Sequence, residues 1–144
     1  MPHADTQSRG ATRTEAVLPA NWPAACAEFA QRHQGVLIRV LTLPTAAAER
    51  GDIGSAQEVA AGLPLAEVAS VAAVPLPNID IRVSNDGRHT VQRVERPKAL
   101  ALEKAPDGTL LGLRIDDADG VTTLVRFRSV LPMEMLDGLS PEEA

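Results

Sequence analysis

Residues 78–130 form a succession of short runs in which apolar and polar residues alternate, each closed by turn-forming residues, and a period of two is satisfied by extended chain with one buried face. Ile79, Ile81 and Val83 alternate with Asp80, Arg82 and Ser84, after which Asn85-Asp86-Gly87 turns the chain and Thr90, Gln92 and Val94 lead to Pro97. Leu100 and Leu102 precede Ala105-Pro106-Asp107-Gly108, which has proline and glycine where a type I turn wants them. With 105–108 as the loop, Leu102 faces Leu111 and Leu100 faces Leu113. Leu111, Leu113 and Ile115 then continue an inner row, Asp116-Asp117-Ala118-Asp119-Gly120 turns again, and Val121, Thr123, Val125 and Phe127 return on the same side. Arg114, Thr122, Arg126 and Arg128 fall on the outer side. Pro132 ends the ladder, and 133–138 reads as a closing helical turn.

The first half begins differently. Trp22, Cys26, Phe29 and His33 recur at spacings of four, three and four, which puts them on one face of a helix over 22–34, capped by Asn21 and ended by Gly35. Glu28 and Arg32 are spaced for a surface pair on that helix. The branched run 36–43 predicts a strand covered on both faces for much of its length. Residues 45–62 are rich in Ala and Gly. Ser55 and Glu58 have capping-box spacing there, yet the helix they would open is very short, so a mobile excursion with at most one helical turn is expected. Val68, Val71 and Val74, stopped by Pro75, are assigned to a strand.

These elements predict an α+β fold: an N-terminal helix packed on a bent antiparallel sheet of five to six strands, with a small open barrel as one way for it to curl. A length of 144 residues favours one domain, placed at 18–139, with 1–17 a disordered polar tail and 140–144 an exposed acidic one. Aromatic residues are only 2% of the chain, so aliphatic side chains must do the packing and few rings are offered to bases or sugars. A net charge of −5 opposes phosphate backbones, and no apolar run is long enough for a membrane-spanning helix. Neither nucleic acid nor membrane insertion is therefore expected; another protein is the expected partner. The single cysteine, Cys26, excludes an intramolecular disulfide and suits a reducing, cytoplasmic setting, with a bacterial origin expected.

Trp22, Phe29 and His33-x-Gly35, then Val36-Leu37-Ile38, Leu63-Pro64-Leu65, Ile79-x-Ile81, His89-x-Val91, Leu113-x-Ile115 and the run from Gly120 to Phe127 resemble a family of small bacterial proteins, domain of unknown function 5335. The resemblance covers about 19–139 and departs from the family pattern in the longer Ala/Gly-rich stretch 45–62. It implies a fold, with no activity, cofactor or catalytic residue attached.

Chemical motifs are scarce. Asp116, Asp117 and Asp119 before Gly120 suggest calcium, but setting Gly120 at the sixth loop position puts Ile115 and Arg126 where carboxylate ligands belong, so a hydrated turn is the better account. Cys26 and His33 share a face but lie about 10 Å apart along the helix, too far to act jointly. A buried thiol and a helix-end histidine at the favourable end of the dipole explain them, and His89 reads as a surface residue. Phosphate-cradling glycines, nucleophile elbows and paired cysteines do not occur. No catalytic, cofactor or metal residue is assigned. Arg93, Arg96, Lys98, Arg114, Arg126 and Arg128 form the one candidate interaction face, against the plainer reading that they are solvated charges balanced by neighbouring carboxylates.

The sequence thus predicts a non-enzymatic accessory or protein-interaction module that works through a sheet edge or that arginine-bearing face. A second expectation is a small-molecule-binding protein or enzyme with a cavity between helix and sheet near Trp22, His33 and Phe127. A third, from element order alone, is an RNA-binding barrel of the Sm type.

Overall fold

The computed structural model describes residues 12–74 and 76–128. The elements are β1 (Arg13–Val17), a 3₁₀ turn (Pro19–Asn21), α1 (Trp22–His33), β2 (Leu37–Pro44), α2 (Thr45–Glu49), a 3₁₀ turn (Ile53–Ser55), β3 (Gln57–Val71), β4 (Asn78–Asn85), β5 (Arg88–Val94), β6 (Pro97–Lys104), β7 (Leu110–Asp117) and β8 (Val121–Phe127). All strands join one antiparallel sheet in the order β1-β6-β7-β8-β2-β3-β4-β5, which is open, with β1 and β5 at its edges. The α+β class is as expected, but the chain is mostly sheet and has eight strands in place of five to six. The expected closing turn at 133–138, Pro132 and the acidic tail 140–144 lie outside the described residues.

One strand, β1, and the first part of β3 come from segments without clean alternation. Residues 13–17 were expected to belong to a disordered tail, yet they pair with β6 from Arg13↔Lys104 to Val17↔Leu100. Their pattern is hard to read because four of the five side chains are exposed and only Val17 packs against the core. Residues 45–62 do not form a mobile excursion. They fold as α2 and a 3₁₀ turn, and from Gln57 onward they pair with β2. The helix there opens at Thr45 rather than at Ser55, whose hydroxyl donates to the Asp52 carbonyl.

That fold-back explains a second correction. Thr122, expected on the wet side, is fully buried, and Leu124 beside it is 1% exposed, because α2 covers the outer face of β2 and β8. Leu41, Leu43, Ala47 and Leu124 make a small second core there, closed by the Thr122 hydroxyl, which donates to the Asp116 carboxylate and accepts from the Thr45 hydroxyl. The centre of the sheet is therefore covered on both faces, as the branched run in β2 implied.

The main core lies inside the bend of the sheet. α1 drives Trp22, Cys26, Phe29 and Ala30 onto Ile38, Leu65, Val68, Ile79, Ile81, Leu100, Leu113, Ile115 and Val125. The expected cap is absent in one respect: Asn21 precedes α1 without a side-chain hydrogen bond to it, whereas the Glu28–Arg32 pair forms at 2.9 Å. Gly35, at φ +86°, supplies the left-handed residue that turns the chain out of α1.

The β6–β7 register differs by two residues from the expected one. Leu102 faces Leu113 and Leu100 faces Ile115, because the loop takes in Thr109 and a bulge follows Glu103. Leu102, Leu110 and Phe127 pack on the core only partly buried, whereas Leu111, expected in that row, is not among its residues.

Candidate functional site

The six cations proposed as one face are spread over several strands and loops of the sheet. Arg93 sits on β5 at an edge of the sheet, whereas Arg114 and Arg126 lie on the neighbouring strands β7 and β8, with β2, β3 and β4 between them and β5. Arg114 pairs with Asp116 at 3.0 Å and Arg126 reaches Glu103 with two hydrogen bonds at 3.1 and 3.3 Å. Arg96 pairs with Asp119. Arg128 lies against Gly62, and Lys98 is exposed. With Arg93, which pairs with Asp80, four of these charges are balanced locally, which weakens any net cationic field while tying strands together.

The tightest of these ties is on β4–β5. Arg93 donates to both carboxylate oxygens of buried Asp80, at 2.7 and 2.8 Å. Chiefly through that hydrogen bond, the Asp80 carboxyl is held below the usual carboxylate range, with burial opposing the shift. A folded-state value below the unfolded one means that the pair stabilises the protein above about pH 4 and that this increment is lost as pH falls through the folded value. Arg93→Met is expected to lower the urea midpoint at pH 7, because it leaves the Asp80 carboxylate without its partner. The cost should shrink on acidification. Urea titrations of both proteins at pH 7 and pH 3 check this, and an unchanged difference would contradict it.

The histidine and cysteine candidates are structural. His33 Nδ1 lies 2.8 Å from the Phe29 carbonyl, and the ring packs against Phe29 and Phe127 at centroid separations of 4.7 and 4.8 Å. Cys26 is buried and its thiol is pushed up to about 11 by desolvation, so it stays protonated at neutral pH. Trp22 is fully buried, with Nε1 donating to the Val17 carbonyl at 2.8 Å. The seam between Trp22, His33 and Phe127, where a cavity was expected, is therefore occupied by packed side chains. At the aspartate turn, Asp117 accepts from the backbone N–H groups of Asp119 and Val121, which fits a hydrated turn. Among the described residues no cluster of three or more His, Cys, Asp or Glu could hold a metal ion.

The concavity lies on the other flank of α1, and it follows from strand lengths. β2 has eight residues and β3 fifteen, so their pairing ends at Leu37↔Pro64, supplemented by the bonds Gly35 N–H to Leu65 O and Leu65 N–H to Val36 O. Beyond the bulge at Ala66, β3 pairs only with β4, from Glu67↔Arg82 to Val71↔Asn78. Its other edge has no strand partner among the described residues and faces α1. α1 packs closely there, and a groove of about 690 Å³ opens along the seam. Pro23, Ala27 and Gln31 of α1, with Gln34 just beyond its end, form one wall and every residue of 64–70 the other. Arg82, Ser84 and His89 extend the lining onto β4 and β5, and Arg82 is paired there with Glu67 at 2.7 Å. Sequence reasoning missed this site because its residues are small or polar; the available signal was the difference in length between β2 and β3, hidden in the Ala/Gly-rich stretch.

Comparison with protein-family models, with curated proteins and with solved structures finds no match to this chain. The described residues contain no helix long and apolar enough to cross a membrane.

Proposed function

We propose that this chain is a non-enzymatic protein-interaction module that takes up an extended segment of another protein on an open edge of its sheet. One observation carries the reading: among the described residues, a strand edge without a ladder partner is backed by a buried core. Among the described residues β5 is paired on one side only, in an unbroken register from Ile79↔Val94 to Asn85↔Arg88, and the second half of β3 pairs only with β4, its other side being covered by α1. Unpaired N–H and C=O groups in a row are a template for another strand, and a rigid sheet beneath them lowers the ordering cost of binding. The two-residue loop Asp86-Gly87 makes Asn85 and Arg88 a hydrogen-bonded pair, so His89, Val91 and Arg93 aim their backbone groups away from β4.

Of the arginines, only Arg93 stands on an edge strand, β5, where it is held by Asp80; Arg114 and Arg126 tie interior strands together. Membership of domain of unknown function 5335 is part of the same proposal, supported by the way its signature residues Trp22, Phe29, Leu113, Ile115 and Phe127 gather in and around one core. A cross-linking pull-down from the native host, with the linked residues mapped by mass spectrometry, tests the function. Links concentrated on β3 or β5 are expected. No protein above background, or links away from both strands, would overturn it.

A further inference from the structure

We propose that β5 is the edge that takes up the partner, and that it selects an extended segment of about five residues with an apolar side chain at its centre and a carboxylate two positions to either side. This rests on the edge-recognition reading above and commits it to one strand and one class of ligand.

The sheet ends at β1 and β5 among the described residues, and β5 is the better template. β1 adds only Val17 to the core, whereas β5 is laid on β4, whose Ile79, Ile81 and Val83 are buried. Both ends of β5 are fixed. The near end leaves its turn through Asp86 and Gly87 at φ +54° and +81°; at the far end Val94 is in the core and the Ala118 N–H donates to the Arg96 carbonyl at 2.9 Å. With Asn85 and Arg88 as a hydrogen-bonded pair, Arg88, Thr90, Gln92 and Val94 turn their backbone groups to β4. His89, Val91 and Arg93 then present three N–H and three C=O groups outward. A strand of five residues, about 17 Å long, spans that row. Because the row is already rigid, little ordering of the protein opposes binding.

The side chains of the same three residues define the ligand. His89, Val91 and Arg93 share one face of the strand and are exposed, with Val91 in the middle at 44%. On an added strand the residue opposite Val91 is favoured to be apolar, and the residues two positions to either side of it lie opposite His89 and Arg93. Arg93 gives Nε and Nη2 to Asp80 and keeps Nη1 for a second carboxylate. His89 offers a ring N–H. Asp86 and Glu95 stand just beyond the two ends of the strand, so further carboxylates outside that span are disfavoured.

A second copy of this chain fits less well. Pairing two β5 strands antiparallel about Val91 sets His89 of each copy opposite Arg93 of the other, donor against donor. A phosphate backbone also fits poorly, since Asp80, Asp86 and Glu95 lie near these donors in a chain of net charge −5.

The full chain is panned at pH 7 against a phage-displayed library of random ten-residue peptides, and the strongest binders are resynthesised with a fluorophore for anisotropy titration. Selected sequences are expected to share an apolar residue with acidic residues two positions to either side. Val91→Pro removes an outward N–H and leaves the β4 ladder intact, so it is expected to weaken binding at least tenfold. Ala27→Trp, in the groove beside α1, is expected to leave binding within twofold. His89→Glu should weaken binding at least threefold, and replacing the binder's acidic residues by their amides should remove most of that difference. Amide exchange of the unmodified protein needs no variant to fold. An added binder should slow exchange at His89, Val91 and Arg93, whose amides point outward, and leave Thr90 and Gln92, already bonded to β4, little changed. Protection on β1 or β3 in place of β5, or indifference to Val91→Pro, overturns the choice of strand and leaves edge recognition standing. Binders without the acidic pair overturn the ligand class alone. Alternating protection that arises without peptide, together with a doubled mass in sedimentation, makes a second copy the occupant and likewise overturns the ligand class. Protection on none of these strands, or failure to select any peptide, overturns both proposals.

Discussion

Replacing Gly112 by alanine is expected to destabilise the protein by at least about 3 kcal/mol, an effect as large as that of emptying a core position. Gly112 stands in the middle of β7, opposite Glu103 of β6 on one side and Arg126 of β8 on the other. A methyl group there would lie 1.8 Å from the Val125 carbonyl oxygen and 3.0 Å from the Arg126 Cα. Both obstacles are backbone, so no side-chain rotation relieves the overlap, and the strands must separate. The same missing side chain lets Arg126 reach across β7 to Glu103, whose carboxylate is 3% exposed. Pushing β7 and β8 apart therefore also strands a buried charge. Gly108→Ala is the natural comparison: it has the same change in composition and a left-handed φ of +92°, but no atom within 4 Å of the added methyl. It should cost only about 1 kcal/mol. Guanidinium titrations of the two variants check the contrast, and near-equal midpoints would mean that the three-strand row adapts without strain.

The row of Glu103, Gly112 and Arg126 shows where a sequence reading stops. Alternation placed Leu113, Ile115 and Val125 inside correctly, because a period of two needs no knowledge of the neighbouring strand. Pairing residues across strands requires the loop length, and one extra residue, Thr109, together with the bulge after Glu103, moved the whole β6–β7 register. α1 was legible because its buried residues are large and recur every three or four positions. β1 was not, since its single packed side chain leaves no pattern and its place is fixed by pairing with β6 and by the Trp22 hydrogen bond. The groove was the least legible feature. Its walls are alanines, glutamines and backbone, and it exists because β3 outruns β2, a relation between two elements that no local pattern in either records.

Trp22→Ala is expected to cost about 3–5 kcal/mol, because it empties the largest fully buried side chain from the point where α1 meets the sheet. Two contributions are joined at this residue and can be separated. The ring fills volume in the main core, and Nε1 holds the Val17 carbonyl, one of the few ties that anchor β1 beyond its pairing with β6. Trp22→Phe keeps much of the ring and removes the donor, so it should cost about 1–2 kcal/mol and act mainly on β1. Hydrogen exchange of β1 amides is then expected to quicken while that of β7 and β8 stays close to its original rate, since β1 adds one side chain to the core and those strands add several. Equal costs for the two variants would assign the anchoring to the hydrogen bond and leave Phe29 and Cys26 as the residues that dock α1 by packing.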